Sequence, residues 1–390
     1  MDKHNLIPLG ITFDDVLLIP GYADFSRSDI DITTQLTKKI KLAAPFVSSP
    51  MDTVTGSKLA IALAEMGGIG ILHRNLTIDE QAKEIQAVSK RNLLVGAAIG
   101  ANAGFEERAK ALVDAGVSVI VVDSAHGNTK TVINAIKYIK KTFSKMEVIA
   151  GNVATKEGAE NLIKAGVDGL RVGMGPGSIC TTRIISGMGV PQLTAILDTA
   201  SVARKADVPV IADGGIKYSG DMVKAFAAGA STVMMGSYLS AALEAPGKLH
   251  ELRSEQVPSR FKSIMTCNGE CETIEKHKDH LYKFKEYRAM GSIGAMQEGA
   301  RIKSEDEFHG KSYKDRVLVA EGVESLIPVK GTVKEIIDQA VGGIKSGMYY
   351  VGAKTIKELQ EKGRFIQITQ ASLTESHPHD ILITNPGENY

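Results

Sequence analysis

Cysteine is scarce, with three in 390 residues. That is too few for a disulfide framework and fits a reducing cytoplasm. An excess charge of one sign is also missing. Lys+Arg 46 stand against Asp+Glu 45, so no nucleic-acid or membrane surface is expected. No apolar run reaches the ~18 residues that a membrane helix requires. The opening MDKHNLIPLGITFDDV has none of the apolar core of a signal peptide. A G-x-G-x-x-G between strand and helix, with an acidic residue further on, is absent too, which removes the Rossmann fingerprint.

Glycine is plentiful, at 39 residues, and often follows an apolar run. The runs are LAAPFVSSPM (42–51), GIGILH (68–73), LLVGAAIG (93–100), VSVIVVD (117–123), MEVIAGNV (146–153), DGLRVGMG (168–175), VPVIADGGI (208–216) and STVMMGS (231–237). Continuous Val/Ile runs without alternation fit strands buried on both faces. Amphipathic segments such as GFEERAKALVDAG and KEGAENLIKAG lie between them, several ending in Ala-Gly, a C′ glycine that turns the chain. The repeat predicts an α/β fold, a (β/α)8 TIM barrel, with a doubly wound open sheet as the alternative. Residues 247–286 read as a polar excursion, 297–322 as a charged flap, 332–346 as helix and 374–390 as a tail.

Active sites of such barrels gather at the C-terminal ends of the strands. Ser49, Met51, His73, Asp123, Asn152, the 173–183 loop, Asp213 to Gly215, Gly236 and Ser237 all fall there. The loop GMGPGSICTTR places Cys180 behind closely spaced glycines. Those glycines suit a tight turn, an anion cradle or carbonyls aimed at a cation. The thiol lacks a flanking apolar run, which favours a nucleophile over a core residue. Asp213 before Gly214 and Gly215 suits two ribose hydroxyls, and glycine amides after the seventh and eighth strands suit phosphate. Together they imply a nucleotide. Asp123 ends an apolar strand, where a carboxylate needs a partner or ligand. His126 is read as a satisfied loop histidine. Cys267 and Cys271, with His277 and His280 near in sequence, read as exposed thiols or a zinc site.

GMGPGSICTTR, with ITFDDVLLIPG (11–21), SSPMDTVT (48–55), DSAHG, AGNVAT (150–155), ADGGI and EYRAMGS (286–292), resembles the IMP dehydrogenase/GMP reductase family. The resemblance spans essentially the whole chain. It implies a purine nucleotide substrate, IMP or a relative, with NAD, potassium and a homotetramer. Cys180 matches the nucleophile, Thr182 its polar partner, and Arg316, with Tyr313 nearby, the water-activating position. Ser49, Ser178, Asp213, Gly214, Gly215, Gly236, Ser237, Tyr287, Met290 and Gly291 match substrate-binding positions, and Glu321 matches the contact with the purine edge. Asp123, Ser124, Asn152, Arg171, Gly173 and Gly175 match the cofactor side. Gly175, Gly177 and Cys180 would offer carbonyls to the cation, joined by Glu375, Ser376 and His377 of a neighbouring subunit. ICTTRIISGMGVPQ, IADGGIKYSGD and the ESHPHD tail favour the dehydrogenase branch over the reductase. The short link from His73 to Leu93 implies one catalytic domain over 1–390 without CBS modules. The flap has no Arg-Tyr pair. Ala289 stands where the family has glycine, and its methyl is expected beside the phosphate.

Overall fold

Each apolar run becomes a strand buried on both faces. A computed structural model describes residues 7–258, 281–302 and 319–381. β1 (Phe46–Ser48), β2 (Ile69–Leu72), β3 (Val95–Ile99), β4 (Val119–Asp123), β5 (Glu147–Val153), β6 (Gly169–Val172), β7 (Val210–Asp213) and β8 (Thr232–Met235) are parallel neighbours in a closed barrel. Closure comes from β8 on β1, with Val233 opposite Phe46 and Met235 opposite Ser48. An open sheet has no such pair, so the barrel expectation holds and the alternative falls.

Alternate residues face opposite sides of a strand. Val47, Ile69, Ile71, Ala98, Val119, Val121, Ile149, Ile211 and Met234 form one buried cluster, which also takes in Leu36 and Leu42. Those two leucines belong to a short hairpin, Thr34–Gln35 with Lys41–Leu42. Its turn meets the start of β6, where Lys38 N–H donates to Asp168 O at 3.2 Å. The hairpin therefore plugs the N-terminal end of the barrel and leaves the C-terminal end as the mouth.

The intervening strand residues pack outward on the helices α1 (Ser57–Glu65), α2 (Ile78–Ser89), α3 (Phe105–Asp114), α4 (Lys130–Thr142), α5 (Lys156–Ala165), α6 (Gln192–Ala203), α7 (Ser219–Ala227) and α8 (Val333–Val351). Thr77 and Thr332 begin α2 and α8 as capping boxes with Glu80 and Glu335, which satisfies otherwise orphaned N–H groups. α5 ends on Gly166 at φ +99°, as its Ala-Gly signature predicts. Among the described residues no helix is long and apolar enough to cross a membrane.

The polar stretch after β8 is more ordered than its sequence suggests. β9 (Leu249–Arg253), β10 (Leu281–Arg288) and β11 (Glu324–Pro328) form an antiparallel sheet. The described ends of the 247–286 excursion are thus strands, with Tyr282, Phe284 and Val257 as a small core of their own. The start of the 297–322 flap belongs to a helix, Ile293–Arg301. Near the C-terminus, Phe365–Gln367 pairs antiparallel with Val16–Leu18.

Candidate active site

β6 delivers the chain to the mouth, and Gly173 makes the exit possible. Its φ is +154°, and a Cβ there would lie 2.2 Å from the Asp213 carbonyl oxygen. Only glycine passes so close under β7. Buried Gln192 fixes the same junction, its Nε2 donating to Val172 O at 3.0 Å and Asp213 O at 3.1 Å. No sequence signal beyond its place after Pro191 marks this glutamine.

The loop then carries Cys180 back over the mouth. Its N–H donates to Gly177 O at 3.1 Å, and its half-buried thiol donates to Thr182 Oγ1 at 3.2 Å. Once the sulfur is ionised, that hydroxyl can reverse and donate to it. The far wall is a backbone zipper. Thr181 N–H donates to Glu321 O at 3.1 Å, Val323 N–H to Ile179 O at 3.0 Å, and Glu321 N–H to Gly291 O at 3.1 Å. Cysteine, Glu321 and the Met290–Gly291 turn are therefore neighbours, although far apart in sequence. Ala289 has a structural neighbour here: a Cβ on Gly322 would lie 2.2 Å from the Ala289 methyl. The methyl therefore packs on Gly322, and the glycine at 322 makes room for it.

On the other side lies a pocket of hydroxyls. A Cβ on Gly236 would come 2.8 Å from Tyr287 Oη and 3.6 Å from Ser49 Oγ. The Ser178 and Ser237 hydroxyls and the Ser237 N–H lie close enough to the Tyr287 oxygen to favour its ionised form. Burial outweighs their help to the phenolate and pushes the Tyr287 hydroxyl up to about 12. It is a neutral donor at any physiological pH. Ser49, Ser178, Gly236, Ser237 and Tyr287 are thus brought together as the sequence suggests. Gly214 and Gly215 pack on Pro176, two residues before Ser178 in the same loop.

The strand ends between these regions hold a charge chain. Arg171 Nε donates to Asp213 Oδ2 at 2.8 Å, and its Nη1 donates to Asp123 Oδ1. Burial opposes the guanidinium charge, but Asp213 and Asp123 outweigh it and raise the arginine above its ordinary value. Asn152 Nδ2 adds a bond to the same Asp213 oxygen at 2.8 Å and another to Gly173 O at 2.9 Å. Both of these bonds to Asp213 fall on Oδ2. Ser124 turns its hydroxyl to His126 O at 3.0 Å.

Beneath the mouth, Arg288 grips Asp52 with bonds of 2.7 to 3.2 Å, which ties β10 to the loop after β1. Buried His73 lies close by, and its Nδ1 has no hydrogen-bond partner. The tail residue Glu375 ends the helix Gln370–Glu375 and Ser376 and His377 follow it, with the His377 ring 6.1 Å from that of Tyr218. The described contacts of Gly175 and Gly177 lie within their own loop and on the Gly214 turn. No cluster of three His, Cys, Asp or Glu able to hold a metal occurs among the described residues. Arg316, Tyr313, Cys267, Cys271, His277 and His280 lie outside the described residues.

Comparison with known proteins meets this geometry. The chain matches the family model of the IMP dehydrogenase / GMP reductase domain over residues 10–263 and 266–379. The inosine-5'-monophosphate dehydrogenase of Aquifex aeolicus is 39% identical over an alignment of 518 positions, covering 100% of this chain and 99% of the relative. That of Cryptosporidium parvum is 40% identical over 424 positions, covering 98% of each. The Borreliella burgdorferi enzyme of the same name is 40% identical, covering 95% of this chain and 97% of the relative. With matches of that extent and a thiol loop closed over a barrel mouth, this chain belongs to the IMP dehydrogenase / GMP reductase family.

Proposed function

We propose that the chain is an IMP dehydrogenase, oxidising IMP to XMP with NAD+ through a covalent intermediate on Cys180. One observation carries the reading. Cys180, bonded to Thr182, faces a zipper to Glu321 and shares its loop with Ser178 of the hydroxyl pocket.

The pocket suits a phosphate monoester: Tyr287, Ser178, Ser237 and the amide of Gly236 are neutral donors around one small space, and a side chain at 236 would fill it. Gly214 and Gly215 extend that cradle, and Asp213 Oδ1 accepts from ribose hydroxyls. Met290, Gly291 and Glu321 line the purine edge, with Ser49 at the phosphate side. Held so, the base presents C2 to Cys180. The sulfur bonds to C2, and the C2–H bond breaks with both electrons leaving as hydride. NAD+ supplies the acceptor for that hydride when bound. Asp123, Ser124, Asn152, Arg171, Gly173 and Gly175, on and just after β4, β5 and β6, are the residues that would hold it. Water then adds to C2 and the C–S bond breaks, giving XMP and the free thiol. Thr182, donating to sulfur, favours the thiolate as attacker and as leaving group. Arg316 is the proposed water-activating residue.

Gly175, Gly177 and Cys180 offer only backbone oxygens, which fits a hard monovalent cation such as potassium. In a homotetramer they would be joined by Glu375, Ser376 and His377 of the partner subunit. Between β2 and β3 lie only α2 and its turns, which supports a single catalytic domain over 1–390 with no CBS modules. The cytoplasm is the compartment that suits a free catalytic thiol.

The test is a pair of assays on the purified protein. IMP with NAD+ and potassium is expected to give NADH and XMP. NADPH oxidation with GMP and ammonia release, without NADH formation from IMP, would make the chain the reductase instead.

A further inference from the structure

The cysteine loop has a second tie besides its zipper to residues 321–323. Its two ends meet in an antiparallel bridge, with Val190 N–H donating to Met174 O at 3.3 Å. Arg183 lies across this bridge. Its Nη2 donates to Val190 O at 2.8 Å and to Met174 O at 3.4 Å. The stem of the arginine is gripped from both sides. A Cβ on Gly175 would come 2.7 Å from Arg183 Cγ, and one on Gly189 would come 2.6 Å from the same atom. Two glycines eight and six residues away in sequence are therefore needed to seat one side chain.

Apolar packing does not hold this part of the loop. Ile184, Ile185 and Met188 are 83%, 50% and 60% exposed. Arg183 directly follows Thr182, whose hydroxyl meets the Cys180 sulfur. We propose that Arg183 is a positioning residue for Cys180. By clamping the loop's base it fixes the first turn of the helix Thr182–Ile185, and with it the Thr182–Cys180 pair. Its own hydrogen bonds go to backbone carbonyls of the loop.

This inference rests on Cys180 as the nucleophile of the proposed reaction, and its test separates the two. Arg183→Met keeps the stem and loses the bonds. Misplacing a reacting group by about 1 Å can cost ~10²-fold, so kcat is expected to fall ~10-fold or more while the IMP KM stays within ~3-fold. Arg183→Lys should recover kcat to within ~3-fold of the wild type, because one nitrogen makes both bonds and an ammonium can replace it. Gly189→Ala should mimic Arg183→Met by expelling the stem, and should add little in an Arg183→Ala background. A readout independent of turnover is the alkylation of Cys180 by iodoacetamide, followed on its own peptide by mass spectrometry. It should quicken in Arg183→Met as the loop loosens, and not in Arg183→Lys. Wild-type kcat and alkylation in Arg183→Met, or a lysine variant as impaired as the methionine one, would overturn the proposal. An inactive wild type would instead count against the dehydrogenase reading, with the alkylation comparison still testing the clamp.

Discussion

Tyr287 occupies the most telling residue environment in the mouth. Its hydroxyl is buried with Ser178 and Ser237 around it, and held neutral by burial. A hydrogen bond to a charged group contributes ~1.5–3 kcal/mol, so Tyr287→Phe should raise the IMP KM by roughly 10-fold or more while kcat changes little. Steady-state kinetics in IMP checks this, and an unchanged KM would remove the tyrosine from the phosphate site. His73 makes a stability prediction at the same scale. Burial pushes it down to about 4 from 6.5; Asp52 and Glu84 pull the other way, and Arg288 and Arg108 add to the depression. The unfolded chain then binds the proton more readily than the folded one. The stabilising contribution is complete above pH 6.5 and is lost as pH falls from there toward about 4. The slope is at most ~1.4 kcal/mol per pH unit. Urea melts across that range should show the slope in the wild type and lose it in His73→Gln. An identical slope in both would place the acid sensitivity elsewhere.

Among the elements, the thiol loop and the strand β11 depend on each other. The segment leading into β11 zips to Ile179 and Thr181, and the Ala289 methyl sits on Gly322. Gly322→Ala would set two carbons 2.2 Å apart and force the zipper open. Overpacking of this kind costs ~1–3 kcal/mol, and the expected result is a lower Tm together with a kcat loss larger than any change in IMP KM. Gly322→Ala combined with Ala289→Gly should recover both. A Gly322→Ala protein with wild-type kcat would mean that the zipper does not hold Cys180 in place.

For the whole molecule, the barrel was legible because its signal is local. Eight apolar runs with glycine-ended helices between them correspond to β1 through β8. The placement of candidate residues at strand ends is legible for the same reason, and Cys180 lies by Thr182, Ser178 by Tyr287 and Arg171 by Asp213. The sheet of β9, β10 and β11 was missed because each strand has few apolar neighbours in sequence. Its partners lie far along the chain, as Leu249 opposite Lys285 illustrates. Gln192 and Arg183 were missed because polar side chains that bond backbone carbonyls leave no periodic trace. The double commitment of Arg171 to Asp123 and Asp213 likewise depends on barrel closure, which a linear pattern does not contain.

The most direct measurement is the mass of the enzyme during turnover. Purified protein mixed with IMP and NAD+, quenched in acid within milliseconds and digested, should yield the Cys180 peptide carrying a purine nucleotide. NADH should form in the same burst, and Cys180→Ala should show neither. NADH and XMP produced with an unmodified Cys180 peptide, or undiminished in Cys180→Ala, would contradict a nucleophilic Cys180.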